Sequence, residues 1–110
     1  MLKKRTFSRY STEASLLLGH QIKLGRKQRK WTEQELAERT GISRATLQKI
    51  EQGNMNCAIG LVFEAAVLVG VTLFETDNTS LIMQHERTND KLALLPKAVR
   101  KSKKVIDDNF

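Results

Sequence analysis

The sequence predicts an all-α fold of five helices with a short basic C-terminal tail, and three observations point that way. Glycine and proline are sparse, six and one in 110 residues, which leaves room only for short connections. Apolar residues recur at spacings of three and four, as one buried helix face requires, and strand-like alternation is weak. Residues suited to starting or ending helices, Thr32, Gly41, Ser43, Gly53 and Gly70, punctuate the chain at helical intervals.

Helix one is expected from about Glu13 to Arg29, with Ala14, Leu17, Leu18, Ile22 and Leu24 as its apolar stripe. Gly25 interrupts it. A mid-helix glycine costs roughly 1 kcal/mol against alanine, so either another helix crosses closely there or the loss is simply tolerated. Thr32 and Glu35 have capping-box spacing and start helix two, whose inner face is Leu36, Ala37 and Thr40 and whose stop is Gly41. Ser43 caps helix three, which runs to about Gln52 before Gly53 closes it. The nearly all-apolar stretch from Ala58 to Val69 reads as helix four, buried core ended by Gly70. Thr72 and Glu75 repeat the capping-box spacing, but Thr76, Asp77 and Asn78 allow no more than a turn. Helix five is expected from about Ser80 to Leu95, ended by Pro96. The resulting division is a basic arm 1–12, a main domain 13–78 built on the first four helices, a C-terminal helix 79–95 for dimer or partner contact, and a flexible tail 96–110.

Composition narrows the function. A single cysteine, Cys57, allows no intramolecular disulfide and no cysteine-built metal site, which suits a reduced cytoplasm. The apolar run Leu16 to Leu18 behind the basic N-terminus is too short for a signal sequence. Ala58 to Val71, broken by Glu64, falls short of the ~20 residues that span a bilayer, so no membrane role is expected. His20, His85 and Cys57 are too scattered to form a metal site or a nucleophile with its base, and no phosphate-cradling glycine motif occurs. Neither an enzyme nor a cofactor is expected.

Nineteen Lys and Arg against twelve Asp and Glu give a net charge of +7, which favours a polyanionic partner. The charge is segregated. Residues 23–30 hold Lys23, Arg26, Lys27, Arg29 and Lys30 without an acid, and residues 97–104 hold Lys97, Arg100, Lys101, Lys103 and Lys104 likewise. Between 62 and 93 the sign reverses, with Glu64, Glu75, Asp77, Glu86 and Asp90 outnumbering Arg87 and Lys91. Helix three presents Arg44, Ala45, Gln48 and Lys49 on one side and Leu47 and Ile50 on the other, as a helix lying in the major groove must. Small Ala37 lets the preceding helix cross it closely.

Trp31-Thr32-Glu33-Gln34-Glu35-Leu36-Ala37, then Gly41-Ile42-Ser43-Arg44, Leu47 and Ile50-Glu51-Gln52-Gly53 resemble the XRE (Cro/repressor) helix-turn-helix over about residues 18–74. The resemblance implies a five-helix lambda-repressor-like domain, a homodimer and a palindromic double-stranded operator. It places the base-reading positions at Ser43, Arg44, Ala45, Gln48 and Lys49, and pairs Arg26 with Glu51. Phosphate contacts are expected from Lys27, Lys30, Thr32, Gln34 and Asn54. Chemistry suggests Arg44 or Lys49 for guanine, Gln48 for adenine and Ala45 for a thymine methyl. One residue departs from the pattern: where the family usually has a phosphate-binding glutamine, this chain has Glu33, which cannot donate to phosphate and repels it.

The segment from Leu92 to Lys104 and the ending Asp107-Asp108-Asn109-Phe110 resemble the end of HipB-like antitoxins, which are repressors that bind HipA-type kinase toxins. A HipA-like partner is therefore expected, with Leu81, Ile82, Met83, Leu92, Leu94, Leu95 and Phe110 as dimer or partner contacts. The alternatives are a stand-alone repressor without a toxin and a protein-binding adaptor that has lost DNA binding, which Glu33 favours.

Overall fold

The computed structural model describes residues 6–76 and 78–101, so Phe110 and the rest of 102–110 lie outside the described residues. It contains five helices and, among the described residues, no strand beyond an isolated bridge between Thr76 and Thr79. They are α1 (Arg9–Gln28), α2 (Glu33–Thr40), α3 (Arg44–Glu51), α4 (Ile59–Leu68) and α5 (Leu81–Ala93). The chain divides into two compact units, Met1–Leu73 and Phe74–Phe110, so the first ends earlier than the expected boundary at 78.

In the first unit α1 begins four residues before the expected Glu13, because Ser8 supplies the N-cap: its hydroxyl accepts from Ser11 N at 3.2 Å. Residues 9–12 are thus helix rather than arm. The expected apolar stripe is also rotated. Leu17 and Leu24 are more than half exposed, whereas Gly19, Ile22, Gly25 and Arg26 are buried. Ile22 and Leu18 of the expected stripe do face the core, but the two glycines and the arginine beside them give no apolar signal, so hydropathy located the inner face only in part.

Gly19 and Gly25 are buried because other backbones press on them. A Cβ on Gly19 would stand 2.5 Å from the Ile50 carbonyl oxygen and 2.9 Å from that of Glu51, at the end of α3. One on Gly25 would stand 2.7 Å from the Val69 carbonyl oxygen, so of the two readings of Gly25 the close crossing is the one observed, made by the end of α4. The core of Ile22, Leu36, Ala37, Leu47, Ile50, Ala65, Ala66 and Val69 fills the space between the four helices. α4 contributes less of it than expected. Ile59, Leu61 and Val67 are exposed, because the small residues Ala65 and Ala66 take the buried face.

Helix ends follow one pattern. After α1, Lys30 N donates to Lys27 O at 3.0 Å and Trp31 N to Arg26 O at 3.2 Å, closing the helix through a left-handed residue. The same closure ends α3 at Gly53 and α4 at Gly70. At α1 the left-handed residue is Lys30, φ 61°, where a Cβ is sterically unfavourable.

In the second unit Ser80 caps α5 by accepting from Met83 N at 3.2 Å, and the Gln84 side chain donates to the Phe74 carbonyl. The helix stops at Ala93, two residues before the expected Leu95. The expected turn at Thr72 and Glu75 does not wind; the bridge between Thr76 and Thr79 takes its place. No residue of α5 is buried.

Packing at Gly19 generates a stability prediction. Gly19→Ala should destabilise the chain by about 1–3 kcal/mol, since backbone rather than a flexible side chain must move. Gly60→Ala on α4, where a Cβ meets nothing within 4 Å, should be neutral or stabilising by up to ~1 kcal/mol. Denaturant unfolding of the two variants measures the contrast.

Candidate nucleic-acid interface

The connection between α2 and α3 is short because each of its residues makes a terminal contact. Thr32 accepts from Glu35 N at 3.1 Å while Glu35 Oε1 accepts from Thr32 N at 2.7 Å, closing the capping box. Gly41, φ 78°, turns the chain left-handed, and Ile42 N donates back to Ala37 O at 2.9 Å. Ser43 then caps α3, accepting from Thr46 N at 3.1 Å. Ala37 is fully buried where α2 meets its neighbours, so the two helices approach on a small side chain.

α3 is held from below by α1. Arg26 Nε lies 2.7 Å from Glu51 Oε2 and Arg26 Nη2 donates to Glu51 Oε1 at 3.0 Å, a two-pronged pair with both side chains buried. Arg26 Nη1 also donates to the Trp31 carbonyl at 3.0 Å. The hydrogen bond to Glu51 raises the arginine's already high pKa against the opposing effect of burial. Nearby, Ser15 Oγ donates to Gly53 O at 2.8 Å, a second tie that sequence reading missed because a serine within a helix carries no positional signal. Trp31 packs against the core with the Arg39 guanidinium 4.2 Å from its ring centre. Arg29 Nη1 donates to the Val69 carbonyl, so this cation serves the end of α4.

With α3 fixed, Arg44, Ala45 and Lys49 are exposed together and Gln48 is half-buried beside them. Ser43 is exposed as well, but its hydroxyl already serves the cap and donates to Thr46 Oγ1 at 2.9 Å. Lys27, Lys30, Thr32, Gln34 and Asn54 are all exposed. Three of these five have side-chain partners within the protein: the Thr32 hydroxyl accepts from Glu35 N in the capping box, Gln34 Nε2 donates to Glu38 Oε2 at 3.0 Å, and Asn54 Oδ1 accepts from Asn56 N at 2.7 Å. One of the two N–H groups of Gln34 is thus tied along its own helix.

Glu33 has a role that its sequence position did not reveal. Its Oε1 accepts from Arg44 Nε at 3.0 Å and from Gln48 Nε2 at 2.9 Å, joining the start of α2 to two candidate base-reading side chains. The hydrogen bonds from Gln48 and then Arg44 hold the Glu33 carboxyl below the usual glutamate range. The contact joins two helices across a turn, at separations of 11 and 15 residues, so the periodicity of a single helix does not reveal it. Among the described residues no group of three metal-ligating side chains occurs, and no helix is long and apolar enough to cross a membrane.

The buried pair predicts that Glu51→Gln, which leaves the Arg26 charge without a counter-charge, destabilises the chain by about 3–5 kcal/mol in thermal or denaturant unfolding. A shift below ~1 kcal/mol would instead be the signature of a solvent-screened pair.

Residues 22–75 match the helix-turn-helix family model. No match was found among curated proteins or among solved structures. The matched span covers the later part of α1, all of α2, α3 and α4, and the turn that joins α2 to α3. Five helices without a strand among the described residues agree with a lambda-repressor-like architecture. Residues 22–75 thus form a helix-turn-helix domain similar to those of XRE-type DNA-binding transcription regulators.

Proposed function

We propose that the chain is a sequence-specific repressor that lays α3 in the major groove of a palindromic operator and acts as a homodimer in the cytoplasm. The observation that carries this reading is the set of exposed Arg44, Ala45 and Lys49 with half-buried Gln48 beside them, on a helix locked at its far end by a buried ion pair. Such a helix presents guanidinium, amide, ammonium and methyl groups to base edges at little further conformational cost. Lys27, Lys30 and Thr32 would follow the backbone on either side, with the free amide nitrogen of Asn54. Lys30 supports the assignment in its own way, since a lysine stands where the three other left-handed closures, at Gly41, Gly53 and Gly70, have glycine.

This reading has a two-part test on duplexes selected from random DNA. Arg44→Ala should cost roughly 1–3 kcal/mol at the preferred sequence and relax one base-pair preference per half-site. Lys30→Gly should stabilise the fold by roughly 1 kcal/mol through relief of the left-handed Cβ, while weakening binding to all sequences alike. Unchanged specificity in Arg44→Ala would contradict the base-reading role.

The second unit favours a more specific setting, that of an antitoxin that also binds a HipA-like kinase and represses its own operon. Leu81, Ile82, Met83, Leu92, Leu94 and Leu95 are all exposed, and Leu92, Leu95, Pro96 and Val99 line one apolar hollow. That much apolar surface suits a two-fold dimer contact or a toxin surface. The tail beyond, with Phe110, would add to the toxin contact. Deleting 97–110 should leave a dimer and operator recognition at half-sites roughly 34 Å apart while abolishing capture of a HipA-like kinase. If deletion only lowers DNA affinity and flattens its salt dependence, the tail is a DNA arm and the stand-alone repressor is the better reading.

A further inference from the structure

Resting on the reading of α3 as the base-reading helix, we propose that Glu33 is a positioning residue that sets base-pair specificity by fixing which edges of Arg44 and Gln48 face DNA. The argument is a donor and acceptor inventory. Glu33 Oε1 takes a hydrogen bond from each side chain, and an ionised carboxylate can only accept. Gln48 must therefore turn its nitrogen toward α2, which leaves one N–H and the amide oxygen for the groove. Those two groups, side by side, are the pair that adenine N7 and N6 require. Arg44 spends its Nε–H on Glu33 and keeps both terminal nitrogens, an end-on fork matched to guanine O6 and N7.

A glutamine at position 33 would not impose this. An amide both donates and accepts, so it tolerates either orientation of the Gln48 amide and gives the guanidinium no charged anchor. Glu33 is also the first residue of α2, where the helix N-terminus favours a negative charge. Its depressed pKa keeps the acceptor ionised at neutral and mildly acidic pH. The Arg44 side chain is 60% exposed and that of Glu33 28%, so the pair adds little to stability and its effect is geometric. The same carboxylate that forfeits a phosphate contact thus gains control over two base contacts.

The test uses the full chain and a random-sequence duplex library, with wild type, Glu33→Gln, Glu33→Ala and Arg44→Ala selected in parallel. Both Glu33 variants should unfold close to the wild-type temperature. They should keep the half-site spacing but lose preference roughly tenfold at the base pairs facing Arg44 and Gln48. In the free wild-type protein, NMR should show an Arg44 Nε–H signal that responds to acid below the usual glutamate range and is missing from Glu33→Gln. If both Glu33 variants enrich the wild-type motif with undiminished preference while Arg44→Ala does not, Arg44 reads DNA without Glu33 and the positioning role is overturned. If the wild-type chain enriches no motif, the reading of α3 falls and the proposal falls with it.

Discussion

Arg26 reaches from α1 to the last residue of α3 and, through a third nitrogen, to the carbonyl of Trp31 just before α2. The end of α1, the connection before α2 and the end of α3 converge on one guanidinium, and the orientation of the exposed helix depends on it. A planar fork suits this junction better than an ammonium because its donors point in fixed directions. Burial makes the junction demanding, since either charge alone would be stranded away from water. Apolar packing around Ile22, Leu47 and Ile50 excludes that water, so the ion pair and the core support each other.

Around this junction the chain separates two duties. Side chains that face inward from α3, Leu47, Ile50 and Glu51, are buried and tied. Those that face outward touch little apart from Glu33 and the turn. The turn owes its shortness to backbone groups being satisfied locally: Gly41 closes one helix and Ser43 opens the next. Rigidity near DNA thus comes from capping as well as from the core.

The sequence made the helical frame legible where chemistry is local. Caps and stops act over three or four residues, so Thr32 with Glu35, Gly41, Ser43 and Gly53 located α2 and α3 closely. The Arg26–Glu51 contact followed from family resemblance, as a separation of 25 residues has no local signature. Illegible were the features set by tertiary approach. Gly19 is invisible to a hydropathy pattern, yet it marks where α3's end meets α1. α4 looked like uniform core because hydropathy does not distinguish the alanine face from the Ile59 and Val67 face. Glu33 was legible as a departure but not as a partner of Arg44 and Gln48, because that contact spans two helices.

The two pressed glycines of α1 have a consequence for how this fold can vary. Gly19 receives the end of α3 and Gly25 the end of α4, six residues apart on one rigid rod, or roughly 9 Å at helical rise. α1 therefore works as a ruler with two notches, and the span between them sets the distance at which the exposed helix stands from α4. Inserting or deleting one residue between the notches would turn one of them by about 100° and bring a side chain against backbone. By this geometry length changes fit before Ser15, whose hydroxyl holds Gly53, and in the loops beyond α3, whereas the outward side chains of α3 can be exchanged without disturbing the ruler. A lineage carrying this fold can change what it reads far more readily than where it holds the reader.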